Sequence, residues 1–208
     1  DILRYNSSGG AVSVNLQTET GSGGDANGDV IRNIEHVIAT SGNDTLVGSA
    51  GNDTLDGGDG QDFLQGGQGA DVLVASSGLN TLEGGEGADT LTGGTDADTA
   101  SYNLSNAAVT IDLKNNTAEG GHAQGDVLTS IENIIGSSHR DLLIGSDVNN
   151  TLTGGLEDDT LVGNGGADLL DGGDGLDDVA DYSTAIVTGV DTGVNVQLKA
   201  GNSGVHGD

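Results

Sequence analysis

Cysteine and proline are both absent from this 208-residue chain, as are methionine and tryptophan, and aromatic residues make up only 2%. Without cysteine no disulfide can staple the fold, and the scattered His36, His122, His139 and His206 form no close-spaced pair of zinc-type ligands. Without proline nothing interrupts backbone pairing along a stack of strands. Only 5 basic residues stand against 33 acidic ones, giving a net charge of -28, so the sign alone argues against nucleic acid as a partner. No stretch approaches the ~20 apolar residues of a membrane-spanning helix, and no signal peptide opens the chain.

These shortages predict that the chain cannot fold unaided. Low hydrophobicity with high net charge offers too little apolar burial to offset backbone entropy and repulsion, and 39 glycines add to that entropy. Either the chain is a disordered acidic linker, or something cationic joins the folded state. The available ligands are hard oxygens, which suit calcium; a basic partner protein is the other way to neutralise the charge.

What the chain does have is a register. Leu46, Leu55, Leu64, Leu73, Leu82 and Leu91 stand nine residues apart, and two positions before them come Asp44, Asp53, Asp62, Asp71, Asn80 and Asp89. Seven nonapeptides start at 39, 48, 57, 66, 75, 84 and 93. A second array of five starts at 136, with Asp141, Asn150, Asp159, Asp168 and Asp177 at position six and Leu143, Leu152, Leu161, Leu170 and Val179 at the buried position eight. A leucine every nine residues has no reason to exist in a disordered linker.

A longer repeat contains the arrays. A shift of 97 residues places Tyr5 on Tyr102, Val12–Leu16 on Val109–Leu113 and Ile34-Glu35 on Ile131-Glu132, and a third copy begins at Tyr182 with Val194–Leu198. The chain therefore divides into 1–38 (the end of a preceding repeat and a linking β segment), 39–101 (first array), 102–135 (linking segment), 136–181 (second array) and 182–208 (a third linking segment). It reads as a piece of a longer tandem protein, whose secretion signal lies outside it. In the linking segments, Val12, Val14 and Leu16 alternate with polar residues, the mark of a half-buried strand, and short strands are also favoured around Ile31, Ile34 and Val37.

Gly57-Gly-Asp-Gly-Gln-Asp-Phe-Leu-Gln65, Gly66-Gly-Gln-Gly-Ala-Asp-Val-Leu-Val74 and Gly84-Gly-Glu-Gly-Ala-Asp-Thr-Leu-Thr92 resemble the nonapeptide of the RTX, or haemolysin-type, calcium-binding repeats. The resemblance implies an all-β fold, a right-handed parallel β-roll or β-solenoid in which two nonapeptides make one turn and several calcium ions lie between stacked loops. It also implies that position six supplies a carboxylate and that turn carbonyls complete the shell. Those carbonyls come mainly from position two (Gly58, Gly67, Gly85, Gly155, Gly173) and position four (Gly51, Gly60, Gly69, Gly87, Gly175).

Loops on one edge recur every second nonapeptide, so carboxylates should pair eighteen residues apart: Asp44 with Asp62, Asp53 with Asp71, Asp71 with Asp89, Asp141 with Asp159, and Asp159 with Asp177. Asp62 with Asn80, Asn80 with Asp98, and Asn150 with Asp168 form mixed pairs, weaker or vacant because an amide oxygen carries no charge. Ala75-Ser76-Ser77, Asp96, Val148 and Glu157 depart from the glycine pattern, and Ala100 empties a core position.

Other constellations are weaker. Asp25-Ala-Asn-Gly-Asp29 opens like an EF-hand loop, but Val30 stands where glycine belongs and His36 where glutamate belongs, so a turn is expected, with Asp29 and Asp126 as isolated ligands or backbone caps. Tyr5, Tyr102 and Tyr182 each end an array and are expected to close the core. The threonine rank at position seven is broken by Phe63 and Val72, which disfavours ice binding. No HExxH or GxSxG occurs, and acidic residues that recur with the period make no unique acid/base pair, so no enzyme is expected. The expected role is a secreted or surface calcium-binding segment that folds on export, a spacer or scaffold of a large bacterial adhesin, toxin or exoenzyme. Its partners are then calcium and the neighbouring repeats of its own chain. The alternative is a module that binds polysaccharide or a cell surface through an exposed face.

Overall fold

The computed structural model describes residues 1–181. The third linking segment, with Tyr182 and Val194–Leu198, lies outside the described residues.

Each nonapeptide places its last three residues on a strand, which in the most regular rungs, such as Thr54–Asp59 and Phe63–Gln68, runs on through the first three residues of the next before the turn, and successive strands fall alternately on two facing walls. One wall is a six-stranded sheet in the order Ile2–Arg4, His36–Ile38, Thr54–Asp59, Val72–Ser77, Thr90–Thr92, Val127–Thr129. The other has nine strands, from Leu169–Asp174 through Thr151–Leu156, Asn133–Ile135, Thr99–Ser101, Thr81–Glu86, Phe63–Gln68 and Thr45–Val47 to Ser13–Asn15 and Thr20–Ser22. In the second array a five-stranded sheet (Thr117–Glu119, Thr110–Asp112, Leu142–Ile144, Thr160–Val162, Val179–Ala180) faces the nine-stranded one. The pairings along the arrays are parallel, and between regular nonapeptides they are in register by eighteen, as Leu46 on Leu64 and Leu64 on Leu82 show. With short 3₁₀ turns at Gly24–Ala26 and Gly121–Ala123 as its only helical pieces among the described residues, this is an all-β parallel roll.

The core is one side chain thick. Leu46, Leu55, Leu64, Leu73, Leu82 and Leu91 all have no exposed surface, and neither do Leu143 and Leu152. Position eight faces inward from both walls, so a leucine from each wall fills the gap, and strand spacing of ~4.8 Å stacks them one on the next. Ala100 keeps this place in the column between Leu82 and Ile134 and is fully buried.

Each linking segment contains an antiparallel hairpin. Ser13–Asn15 pairs with Thr20–Ser22 and docks on Thr45–Val47; Thr110–Asp112 pairs with Thr117–Glu119 and docks on Leu142–Ile144. Of the three apolar residues around position 34, only Val37 lies in a strand; Ile31 is buried without strand pairing. Equivalent strands of the two units lie on opposite walls: Ile2–Arg4 pairs with His36–Ile38 in the six-stranded sheet, whereas Thr99–Ser101 pairs with Asn133–Ile135 in the nine-stranded one. Seven nonapeptides, an odd number, separate the copies, so each unit starts on the wall opposite the last.

The last described nonapeptide departs from the expected register. Ala180, not Val179, lies beside Leu161, and Val179 is about half exposed. One extra residue is accommodated in the turn, where Leu176 is 94% exposed and the N–H groups of Leu176 and Asp177 both donate to Asp158 Oδ1.

Candidate metal centre

Position six turns its side chain back into the turn and along the roll. The main-chain N–H of each such residue donates to the Oδ1 of the one eighteen residues later: Asp44 to Asp62, Asp53 to Asp71 and Asp71 to Asp89, each at 2.8 Å. Asp62 to Asn80, Asn80 to Asp98 and Asp141 to Asp159 follow at 2.8 Å, and Asn150 to Asp168 at 2.9 Å. The structure thus brings together all the expected neighbours but one. Asp159 donates to Asp178 at 2.9 Å, so Asp178 holds the place expected for Asp177, as the extra residue in that turn requires.

Two residues continue these columns where the ninefold period stops. Asp126 Oδ1 accepts the N–H of Asp89 at 2.9 Å, and Glu132 Oε2 accepts that of Asp98 at 3.0 Å. Asp126 also accepts the buried Tyr102 hydroxyl at 3.0 Å, and Asp29 accepts that of Tyr5 at 2.7 Å. Asp126 therefore caps the Asp89 column, Asp29 takes the Tyr5 hydroxyl, and Asp25 is an exposed residue of a 3₁₀ turn.

Each column leaves half of a carboxylate unused. Asp62, Asp71, Asp89, Asp98 and Asp159 are nearly or wholly buried, yet their Oδ2 atoms receive no donor from the protein. Burial without a donor disfavours the charged form. It pushes Asp62 and Asp159 up to about 6 and Asp71 to about 7, against an ordinary 3.8, despite the opposing main-chain hydrogen bonds. Asp89, Asp98 and Asp168 are raised for the same reason.

The bare oxygens point at the first glycine of their own turn, and at Gly66, Gly93 and Gly154 a main-chain carbonyl from another rung converges there. A methyl group on Gly66 would lie 2.3 Å from Asp71 Oδ2 and 2.6 Å from the carbonyl of Gly84, one rung further on. On Gly154 it would lie 2.2 Å from Asp159 Oδ2 and 2.6 Å from the carbonyl of Gly172. Positions two and four favour glycine for conformational reasons in such turns: Gly67 and Gly85 have φ of 111° and 100°, and Gly69 and Gly87 have φ of 124° and 151°. Carbonyls at positions two and four, including those of Gly51, Gly60, Gly69 and Gly155, lie against the glycine Cα of the next rung, such as Gly69, Gly78, Gly87 and Gly173. Gly58, Gly67 and Gly85 back in the same way on Thr40, Ser49 and Gly67. Gly175, beside Asp178 and the Glu157 carbonyl, occupies the turn with the extra residue.

Among the described residues no three acidic or histidine side chains converge as a metal cluster. A cation here therefore depends on one carboxylate per turn supplemented by main-chain carbonyls, an all-oxygen set that fits calcium and not a soft metal. The bare Oδ2 atoms and the space that a Cβ would fill supply that fit.

The family model of the RTX calcium-binding nonapeptide repeat (4 copies) matches residues 38–73, 65–100 and 144–179. No curated protein matches the chain. Fold and turns together define a parallel β-roll built on metal-binding turns. The chain carries RTX calcium-binding nonapeptide repeats in both arrays. No helix among the described residues is long and apolar enough to cross a membrane.

Proposed function

We propose that this segment folds on binding several calcium ions outside the cell and serves as a spacer or scaffold of a large secreted or surface protein. The observation that carries it is the set of buried, donorless carboxylate oxygens at Asp62, Asp71, Asp89, Asp98 and Asp159. Each ion supplies two positive charges to a chain of net charge -28, and its binding free energy becomes folding free energy. The residues' part is to hold Oδ1 on the ladder and turn Oδ2, with the Gly66, Gly84, Gly154 and Gly172 backbone, toward one point per turn. In a calcium-poor cytosol the chain would stay extended and exportable, the behaviour a type I secretion substrate needs. Acidic side chains that recur with the period supply no acid/base pair, so no catalytic role is assigned.

Circular dichroism during a calcium titration, with magnesium as control, tests this. Coil in chelator and strand signal at millimolar-order calcium are expected, the weak extracellular class of site. Strand signal undiminished in EDTA at neutral pH would overturn it.

An open groove of about 460 Å³ on the nine-stranded wall, lined by Thr81, Thr99, Asn133 and Thr151 between Leu79 and Leu169, favours polysaccharide binding as a second reading. Retention of the calcium-loaded chain on a glycan array supports it; folding with calcium but no glycan retained leaves the spacer.

A further inference from the structure

The turn-facing oxygens fall into two groups according to the second residue of the nonapeptide. Where that residue is glycine at positive φ, as at Gly58, Gly67, Gly85, Gly94 and Gly155, the Oδ2 of Asp62, Asp71, Asp89, Asp98 and Asp159 has no donor. The opening turn of each array differs. Thr40 has ordinary negative φ and gives its N–H at 2.8 Å and its hydroxyl at 2.9 Å to Asp44 Oδ2, while Val12 N–H occupies Oδ1 at 2.6 Å. Ninety-seven residues on, Ser137 gives its N–H to Asp141 Oδ2 and its hydroxyl to Oδ1 at 2.8 Å, and Val109 N–H also binds Oδ1, at 2.7 Å. Both carboxylates are saturated by the protein itself.

The second turns follow suit on their turn-facing atom. Ser49 gives N–H and hydroxyl to Asp53 Oδ2 at 2.6 and 2.8 Å, and Ser146 N–H binds Asn150 Oδ1 at 2.7 Å. Asp53 keeps a bare Oδ1, where Asn150 in the second unit uses its amide to donate to the Glu132 carbonyl at 2.6 Å.

We propose that Thr40 and Ser137 stand in for calcium at the opening turn of each array. Asp44 and Asp141 then take no ion, and the glycine-paired turns of Asp62, Asp71, Asp89, Asp98 and Asp159 do. The inference rests on the calcium-binding reading and refines it: an ion at Asp44 would have to displace hydrogen bonds already made, whereas one at Asp71 displaces none. It departs from the expectation that Asp44 pairs with Asp62, and Asp141 with Asp159, as two metal-binding carboxylates. In each pair one carboxylate binds and the other is already satisfied. The opening turns are thereby the ones whose carboxylates need no metal to complete their partners.

Equilibrium dialysis of the full chain against radioactive calcium, with circular dichroism to confirm folding, tests this. Thr40→Gly should add one bound ion per chain and Thr40→Ser should leave the number unchanged. Asp44→Asn should leave it unchanged where Asp71→Asn lowers it by one, which keeps the test valid if Thr40→Gly does not fold. Bound calcium with no gain in folded Thr40→Gly, or equal losses in Asp44→Asn and Asp71→Asn, overturns the substitution alone. A wild-type chain that binds no calcium overturns the calcium reading together with it.

Discussion

The main-chain N–H of Asp53 donates to Oδ1 of Asp71 at 2.8 Å, eighteen residues on, while Oδ2 of the same Asp71 is buried with no donor. One oxygen holds the stack together and the other is left for a cation.

That division of labour predicts the outcome of neutralising Asp71. Asparagine can keep the ladder, since Asn80 Oδ1 accepts the N–H of Asp62 at 2.8 Å, but it carries no charge. Asp71→Asn should therefore raise the calcium midpoint of folding roughly tenfold, the weight of ~1.4 kcal/mol. Asp56→Asn, at position nine and off the ladder, should leave the midpoint in place. A calcium titration followed by circular dichroism reads both, and equal shifts would contradict the assignment.

Acid should replace calcium in part. Asp71 and Asp126 are pushed up to about 7, and Asp62 and Asp159 to about 6, chiefly by burial, whereas the same groups in the unfolded chain titrate near the ordinary 3.8. Between those values the folded chain binds more protons, so the stability of the metal-free roll is full below the unfolded value and is lost as pH rises through 6 to 7. In EDTA, strand signal should appear on acidification from pH ~8 to pH ~4.5, and the calcium needed for folding should rise as pH climbs through 6 to 7 and the proton-stabilised metal-free roll is lost. A chelated chain equally unfolded at both pH values would contradict this.

Much of the roll was legible because its period is rigid: leucine every nine residues gives wall, register and core, and aspartate two places earlier gives the columns. Hydrogen-bond direction within a column was not legible, since spacing alone does not say which oxygen the next rung's N–H takes. Asp126 and Glu132 were missed as column ends because they lie 37 and 34 residues from Asp89 and Asp98, neither a multiple of nine. The placement of Asp178 was hidden by counting in nines from Gly172 across two adjacent aspartates. The signal was present all the same: Asp98 precedes Tyr102 by four, as Asp178 precedes Tyr182.

The corrected register separates those two neighbours. Asp178 accepts the Asp159 N–H at 2.9 Å, while Asp177 is held only through its own main-chain N–H to Asp158. Asp178→Ala should raise the calcium midpoint and destabilise the C-terminal rungs by about 1–3 kcal/mol, the cost of leaving a buried N–H without an acceptor. Asp177→Ala should change stability by less than ~0.5 kcal/mol. Urea unfolding at saturating calcium distinguishes them.

The tyrosine–aspartate contact occurs twice in different surroundings, which makes it a controlled comparison. Tyr102 is 2% exposed and donates to Asp126, itself buried and acting as the acceptor for Asp89 N–H. Tyr5 donates to Asp29, which is exposed and accepts no N–H from an aspartate column. Removing the hydroxyl of Tyr102 leaves a buried carboxyl short of one donor, at a cost of about 1–3 kcal/mol, and weakens the cap on the last rungs of the first array. Removing that of Tyr5 lets water replace the donor, at a cost below ~1 kcal/mol. Tyr102→Phe should therefore lower the urea midpoint at saturating calcium clearly more than Tyr5→Phe, and hydrogen exchange should quicken first at the amides of Asp89 and Leu91. Equal effects would show that burial of Asp126 contributes nothing to closing the array.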